Sequence, residues 1–425
     1  MSTGNDLYEL IVRLYPICRS ITGDGVRQTL SILSEYIPLD VVETPSGTDV
    51  YDWTVPDEWN IRDAYVADAS GRKVIDFQAH NLHVLNYSVG IRKRMTLEEL
   101  RPHLYSLPDQ PDLIPYRTSY YSRNWGFCLA DKDLKALEEG EYEVVIDSTL
   151  EPGSLTYGEL VVPGETDEEV LVSTHICHPS LANDNLSGIA IATFLARSLA
   201  SKRSRFTYRF VFVPGTIGSI TWLSRNEETV KRIRHGFVLT GLGDAGGLVY
   251  KQSRRGNVST DRIAEHVLNT RAQPGRIIPW HPYGYDERQY CSPGFDLPVG
   301  RLSRSPHGEF PEYHTSADNL GFVKAEQLED SLKCVEEILE VIEEDAIYQN
   351  LNPKGEPRLG KRGLYRSVAG QTDKQWSELD LLWVLSGSDS EQSLLDIAVH
   401  AKRPFSSIRR AADDLISAGL LKQVR

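Results

Sequence analysis

The 425-residue sequence has no excess of basic residues. It carries 46 Lys and Arg against 60 Asp and Glu, which gives a formal net charge of -14. Because nucleic acids and anionic membranes are bound by basic surfaces, this balance argues against either as a main partner. The sequence also contains no run of eighteen apolar residues, so it predicts no membrane-spanning helix.

Cysteine is scarce, and the five cysteines are odd in number and show no CxxC spacing. They are Cys18, Cys128, Cys177, Cys291 and Cys334. This pattern is typical of reduced thiols and not of a disulfide framework. The first ten residues lack the basic and apolar segments of a secretion signal, and together these features predict a cytoplasmic protein. A Gly-x-Ser-x-Gly motif is also missing, which removes support for a serine hydrolase.

Between Glu169 and Ile347 the sequence alternates between apolar strands and helices. We predict strands at 170–174, 208–213, 235–240 and 297–302, and helices at 186–199, 217–223 and 326–342. Such alternation predicts an α/β fold with a mostly parallel sheet and helices on both faces. Ligands in such sheets bind at the carboxyl ends of the strands.

The rest of the chain divides into flanking regions. Helical spacing at 5–15 and 24–36 precedes a β-rich region with a hairpin across Ser70-Gly71. A Pro- and Gly-rich linker at 352–363 leads to helical segments beginning at Ser377, Ser390 and Phe405, the last of which ends before Gly419 and a short strand at 420–424. This order predicts a winged helix-turn-helix. We therefore divide the chain into three domains: 1–40 with 151–350, an inserted accessory domain at 41–150, and a winged helix domain at 360–425.

The segment Ser173–Gly188 is the most informative. It leaves a strand, places His175, His178 and Asp184 in a short loop, and enters a helix. Burying such groups is costly unless they are paired or bound to a metal, and Zn²⁺ accepts His nitrogen and Asp oxygen. The simpler alternative is a hydrogen-bonded polar loop that caps the helix.

Two later segments favour the metal. Asp244 follows the third predicted strand, and His314 precedes the long final helix. Each residue alone could be structural, Asp244 as a turn residue and the nearby Asp318 as a helix cap. Three loops at one edge of the sheet nevertheless supply His, Asp, Asp and His as potential metal ligands. This combination predicts a site for one or two zinc ions.

The region from about Gly153 to Gln349 resembles the di-zinc aminopeptidases in the order of its motifs. These motifs are His…Asp-Asn-x-Ser-Gly, then an aspartate at a strand end, then Tyr-His-Thr-x-x-Asp. The whole chain resembles bacterial aminopeptidase-like proteins linked to polysaccharide biosynthesis, which have an inserted small domain and a C-terminal winged helix. That match rests on Cys-His-Pro-Ser-Leu-Ala-Asn-Asp-Asn-Leu-Ser-Gly, Thr216-Ile-Gly-Ser-Ile and Asp286-Glu-Arg-Gln-Tyr. The resemblance implies a zinc-aminopeptidase-like mixed sheet between helices, with the two extra domains.

The resemblance also implies roles for the metal ligands. Asp184 would bridge two metals, Asp244 would complete the ligands of one, and His314 those of the other. His175 stands where the strand-end ligand of the di-zinc enzymes falls, and His178 belongs to the Cys-His-Pro phrase. We retain both histidines as candidates.

The sequence departs from the di-zinc enzymes after the second strand. Those enzymes carry two adjacent glutamates there, a general base and a metal ligand, but this chain has Gly215 and Thr216. General base catalysis typically contributes 10²–10⁴-fold, so another acid would have to replace it. Candidate replacements are Glu287, Asp286, Glu309 and Glu312.

We assign catalytic roles to Glu287, Glu312 and Tyr290. Asp286, Arg288 and Tyr313 are assigned to substrate binding, each against the alternative of an ordinary surface or half-buried position. Cys177 is a possible soft ligand, although on an extended strand its side chain would alternate with that of His178.

Two functions remain open at this point. The first is a zinc-dependent hydrolase of an amide bond in a peptide or an amino-acid or amino-sugar conjugate, using metal-activated water. The second is a zinc-binding pseudo-enzyme that binds a ligand or a partner. The segment from Thr372 to Arg425 contains eight acidic and seven basic residues. This balance favours a structural or protein-interaction module, for a protein partner or a second copy of the chain, and not a DNA reader.

Overall fold

A computed structural model describes residues 3–364 and 378–424. The chain forms two compact units, Met1–Val258 with Ile278–Leu332, and Ser259–Ile277 with Lys333–Arg425. Ser377, where we predicted a helix to begin, lies outside the described residues. No helix among the described residues is long and apolar enough to span a membrane.

The secondary structure alternates between strands and helices through the middle of the chain. The strands are β1 (Asp40–Pro45), β2 (Asp49–Val50), β3 (Trp53–Thr54), β4 (Glu58–Ala67), β5 (Lys73–Asp76), β6 (Ile91–Thr96), β7 (Leu104–Tyr105), β8 (Phe127–Cys128), β9 (Glu141–Glu151), β10 (Ser154–Val162), β11 (Glu169–His175), β12 (Thr207–Val213), β13 (Ile233–Leu239), β14 (Val249–Lys251), β15 (Arg276–Ile278), β16 (Val299–Ser303), β17 (Ile347–Asn350), β18 (Asp389–Ser393) and β19 (Leu421–Gln423). The helices are α1 (Thr3–Leu14), α2 (Asp24–Leu33), α3 (Leu97–Leu100), α4 (Asp131–Lys135), α5 (Gly188–Leu199), α6 (Ile217–Arg225), α7 (Glu227–Val230), α8 (Ser259–Thr270), α9 (Glu287–Tyr290), α10 (Ala325–Glu344), α11 (Glu378–Gly387), α12 (Leu394–Ala401) and α13 (Phe405–Ser417).

The first unit is built on a mixed sheet with the strand order β1-β10-β12-β11-β13-β16-β14. Strands β12, β11, β13 and β16 are parallel, and β1, β10 and β14 pair antiparallel at the two sides. Every residue of β11, β12 and β16 is buried, as expected of parallel strands covered on both faces. The predicted α/β class with a mixed sheet is confirmed.

The β-rich region contains a separate antiparallel sheet with the order β5-β4-β9-β6. The hairpin predicted across Ser70-Gly71 is the β4–β5 pair, and Gly71 has a φ of 84° that suits its turn. Strand β1, by contrast, pairs with β10 of the central sheet. One continuous cluster of buried apolar side chains includes Trp59 of β4, Val213 of β12 and Trp222 of α6, so the small sheet packs on the same core.

The second unit contains a three-stranded sheet, β18-β17-β19, and helices α11 to α13. Helix α12 begins with a capping box in which Ser393 and Asp396 exchange hydrogen bonds. Gly419 follows α13 with a φ of 69°, the conformation predicted for a helix C-cap. This arrangement confirms the winged helix-turn-helix.

Candidate metal centre

Three imidazoles surround the carboxylate of Asp184. Asp184 lies in the irregular turn Ala182–Ser187 between β11 and α5. Its Oδ1 is 2.9 Å from Nε2 of His175, and its Oδ2 is 3.1 Å from Nε2 of His314. Potential ligand atoms of His175, His178 and Asp184 all lie within 4.8 Å of one another. The structure therefore brings together four of the five predicted metal ligands.

Neighbouring groups fix the positions of these side chains. Asp318 accepts hydrogen bonds from the backbone N–H groups of Asn183 (2.6 Å) and Asp184 (2.9 Å), which holds the turn. The fully buried Arg19 donates from Nε to the carbonyl oxygen of His178 (2.9 Å). His314 has a φ of 55°, an uncommon backbone conformation for a residue with a side chain.

The protonation states suit metal binding. Burial acts to raise the pKa of Asp184, but His178, His175 and His314 outweigh it and hold that pKa well below its ordinary value. Burial lowers the pKa of His178 well below its ordinary value. An ionised carboxylate and a neutral imidazole are the forms that bind zinc.

The donor set also leaves one polar atom unused. Nδ1 of His178 is buried and has no hydrogen-bond partner among the described residues, although buried polar atoms are nearly always paired. His178 also lies between the rings of His175 (4.8 Å between centroids) and His314 (5.2 Å). Three imidazoles, one of them with an unpaired nitrogen, and one carboxylate fit a zinc ion.

Asp244 lies in a different network from the other predicted ligands. Its Oδ2 accepts a hydrogen bond from Nδ2 of Asn183 (2.9 Å), and its Oδ1 accepts from Oγ of Ser305 (2.7 Å) and the N–H of Gly246 (2.7 Å). The side chain is buried. Both carboxylate oxygens therefore serve to join loops beside the centre.

Asp286 occupies the space next to Gly215. A Cβ atom added to Gly215 would lie 3.4 Å from Oδ2 of Asp286 and 3.2 Å from Cβ of His175. Oδ1 of Asp286 accepts a hydrogen bond from Oγ of Ser219 (2.9 Å), but the buried Oδ2 has no partner among the described residues. Burial raises the pKa of Asp286 to about 6. A carboxylate thus approaches the position from which the usual glutamate is missing.

Glu287 points into a separate buried group. Its Oε1 accepts a hydrogen bond from Nζ of Lys251 (2.9 Å) and lies 3.9 Å from Nη1 of Arg301. Neither Lys251 nor Arg301 is among the residues predicted from the sequence. A signal existed, because Arg301 interrupts a predicted buried strand, and charged residues are rarely buried there without a partner.

The remaining predicted residues have varied surroundings. Tyr290 is fully buried, and its hydroxyl pairs with Oγ of Ser173 (2.8 Å). Tyr313 stacks on His314 with ring centroids 3.9 Å apart. Arg288 and Glu312 are half-buried, and Glu309 is exposed. Cys177 directs its thiol to the carbonyl oxygen of Gly215 (3.7 Å), and burial raises its pKa to about 12.

The β-rich region contacts the candidate metal centre through Tyr116. The ring of Tyr116 lies 5.1 Å from that of His178 and 5.0 Å from that of His314, measured between centroids. Its backbone N–H donates to the carbonyl oxygen of His314 (2.7 Å). The neighbouring Ile114 and Ser316 exchange two further hydrogen bonds. The accessory region therefore holds the loop that carries His314.

Comparisons with known proteins agree with this fold. A protein of Clostridium acetobutylicum with the provisional name polysaccharide biosynthesis protein with aminopeptidase-like domain is 52% identical over 422 residues, covering 99% of this chain and 97% of its own. The crystal structure of a provisionally named peptidase from the same organism has a TM-score of 0.94, 51% identity and the same coverage. The zinc aminopeptidase BSAP from Bacillus subtilis has a TM-score of 0.58 at 15% identity, covering 80% of this chain and 95% of its own; at this identity the likeness shows the fold alone.

Two family models match successive parts of the chain. Residues 346–423 match the winged helix-turn-helix model. Residues 8–345 match the model described as Domain of unknown function (DUF4910). This match covers the central sheet, the β-rich region and the candidate metal centre, so the chain belongs to the DUF4910 family of aminopeptidase-like proteins.

Proposed function

We propose that this chain hydrolyses an amide bond, with zinc held by His175, His178, Asp184 and His314. The observation that carries the proposal is a pair of carboxylates in different surroundings. Asp184 lies among three imidazoles, whereas Asp286 offers an unpaired oxygen close to His175. A zinc ion bound there would supply a Lewis acid that polarises a carbonyl group and lowers the pKa of water.

Asp286 is the residue that we expect to act as general base. Ser219 holds one carboxylate oxygen, which leaves Oδ2 to accept a proton from the attacking water. A base works best when its pKa is close to the working pH, and burial brings the pKa of Asp286 to about 6. Glu287, which we predicted to be catalytic, is instead engaged by Lys251.

A single zinc ion is the stoichiometry that we propose. A second ion would need the ligands supplied in di-zinc enzymes by a glutamate and a strand-end aspartate. Neither Gly215 nor Thr216 supplies a carboxylate, and Asp244 already accepts hydrogen bonds through both oxygens. We therefore expect Asp244→Asn to keep the metal, because Ser305 and Gly246 can still donate to the amide oxygen.

Metal content and turnover, measured together, test the proposal. The full chain is loaded with zinc, analysed for metal, and assayed against peptides, aminoacyl amides and N-acyl amino sugars. We expect one zinc per chain, lost in Asp184→Asn and retained in Asp286→Asn. Turnover should fall about 10²–10⁴-fold in Asp286→Asn, the usual contribution of a general base.

The alternative is a zinc-binding protein without catalysis. The absence of a side chain at Gly215 favours it, since the usual base is missing there. Zinc binding without turnover of any amide, and an Asp286→Asn variant identical to the wild type, would support this alternative. Loss of zinc from Asp286→Asn would instead make Asp286 a ligand.

Among the candidate substrates, the amino-sugar conjugates should be assayed first. The C. acetobutylicum relative is named for polysaccharide biosynthesis, and amide groups are common on the sugars of such polymers. The five cysteines are free thiols, which supports the cytoplasm as the proposed compartment.

The winged helix is proposed to bind protein, either a partner or a second copy of this chain, and not nucleic acid. Arg409 of α13 is paired with Glu344 (3.0 Å) and Asp413, and Arg403 with Asp380 (2.8 Å). Cations paired in this way are poorly available to phosphates. A gel shift with the full chain and duplex DNA should show no salt-dependent complex at micromolar protein; a tight complex that salt dissociates would contradict this.

A further inference from the structure

A second buried charged group lies on the face of the sheet beside the metal centre. Lys251 of β14 and Arg301 of β16 are register partners, and both side chains are at most 2% exposed. Glu287 supplies one carboxylate against these two cations, and its Oε1 accepts from Nζ of Lys251. The group, named here the Arg301 cluster, therefore carries one surplus positive charge.

The Arg301 cluster also contains unused hydrogen-bonding atoms. Nε and Nη1 of Arg301 are buried without a hydrogen-bond partner among the described residues, as is Oε2 of Glu287. A buried guanidinium costs free energy unless an anion or an acceptor satisfies it. Lys251 is already bound by Glu287 and by the carbonyl oxygen of Tyr283 (3.0 Å), so Arg301 has the free donors.

Aromatic side chains connect the Arg301 cluster to the metal centre. The guanidinium of Arg301 lies 5.3 Å from the ring centroid of Tyr285, and Tyr285 stacks with His175 at 5.4 Å. His307 contacts the rings of Tyr285 (5.6 Å) and Tyr283 (5.0 Å). Because Tyr283 is 62% exposed, this segment runs from the cluster to the protein surface.

We propose that the Arg301 cluster binds a carboxylate of the substrate, next to the amide bond that the metal centre cleaves. One surplus positive charge matches a singly charged carboxylate better than a doubly charged phosphate. The unpaired Oε2 of Glu287 would accept an N–H or hydroxyl group of the same ligand. This inference rests on the proposed function, and it defines the substrate class as amides that carry a nearby carboxylate, such as acyl amino acids or amides of sugar acids.

The test compares ligands that differ only by a carboxylate. Binding to the zinc-loaded full chain is measured by calorimetry for N-acetylglycine against its amide, and for N-acetylglutamate against N-acetylglutamine. We expect the member with the additional carboxylate to bind at least tenfold tighter in one of the pairs. Equal binding of both members in both pairs would overturn the proposal.

Variants assign the preference to Arg301. Arg301→Gln should abolish it while zinc content stays unchanged, and Glu287→Gln should strengthen it, because the cluster then gains positive charge. Misfolding could not produce these opposite changes. Arg234→Gln removes the same charge from a half-exposed arginine of β13 and should leave the preference intact. A preference that persists in Arg301→Gln would mean that zinc binds the carboxylate, and would overturn the proposal.

The two measurements, carboxylate binding and amide turnover, test the two proposals separately. A carboxylate preference without hydrolysis of any amide would leave the Arg301 cluster as a ligand site and refute the proposed function. Hydrolysis of amides by a protein without this preference would support the proposed function and refute the cluster's role.

Discussion

Gly215 and the Asp286 carboxylate lie next to each other in a small region beside His175. A Cβ atom at Gly215 would lie 3.2 Å from Cβ of His175, which is tighter than an ordinary contact, and 3.4 Å from the Asp286 carboxylate, which is the short end of ordinary van der Waals contact. A longer side chain that extends toward Asp286 would have to displace its carboxylate. Asp286 is thus the carboxylate that we propose in place of the glutamate missing at Gly215.

Restoring the glutamate of the di-zinc enzymes should therefore be harmful. We expect Gly215→Glu alone to lower amide turnover at least tenfold, since the two carboxylates would collide and repel each other. Combined with Asp286→Gly, the same change should recover part of the activity that Asp286→Gly loses. The kcat/KM of the three variants is the measurement, and a gain in Gly215→Glu alone would contradict the assignment of Asp286.

The sequence predicted which loops meet at the candidate centre but not the direction of each side chain. His175, His178, Asp184 and His314 could be predicted because histidine and aspartate at strand ends are costly to bury without a partner. Asp244 has the same position in the sequence pattern, yet its carboxylate turns toward Ser305 and Asn183. Such a choice depends on packing between loops that are distant in the sequence.

At the scale of elements, the central strands were predictable because their apolar runs are continuous. Strands β11, β12 and β16 are buried on both faces, and this burial requires such runs. The role of the β-rich region was not predictable. Its contact with the centre depends on one loop, whose Tyr116 lies against His178 and His314, and nothing in its local sequence marks that loop.

Truncating Tyr116 should weaken both stability and zinc retention. The side chain is 7% exposed, and removal of a buried aromatic ring typically costs about 3 kcal/mol or more. Tyr116→Phe keeps the ring and loses only the hydroxyl pair with Tyr120 (2.8 Å), worth about 1 kcal/mol. Urea denaturation and the rate of zinc transfer to a chelator measure the two effects. Equal zinc transfer rates in Tyr116→Ala and Tyr116→Phe would show that the ring does not support the centre.

At the scale of the whole molecule, buried histidines should make stability depend on pH. Burial in β13 lowers the pKa of His235 from its ordinary value of 6.5 to about 4, an effect to which the charge of Arg205 adds. The unfolded chain therefore takes up a proton as the pH falls below about 6.5, whereas the folded chain resists until about 4. Stability is complete above that window and declines through it, by up to about 3 kcal/mol.

Replacement of His235 isolates this contribution. The free energy of unfolding of His235→Gln, measured with urea at several pH values, should fall less steeply between pH 6.5 and 4 than that of the wild type. The difference between the two proteins removes the contributions of the other histidines. Parallel curves would mean that His235 is protonated at its ordinary pKa in the folded chain.

The hydrogen bonds between Tyr116, Ile114 and the His314 loop join segments that lie far apart in the sequence. A ligand that binds only the folded state suppresses every opening that disrupts its site. Adding metal should therefore slow the hydrogen exchange of the Tyr116 and Ser316 amides, although neither residue carries a ligand atom. These two amide protons would then report occupancy of the centre without any substrate being added.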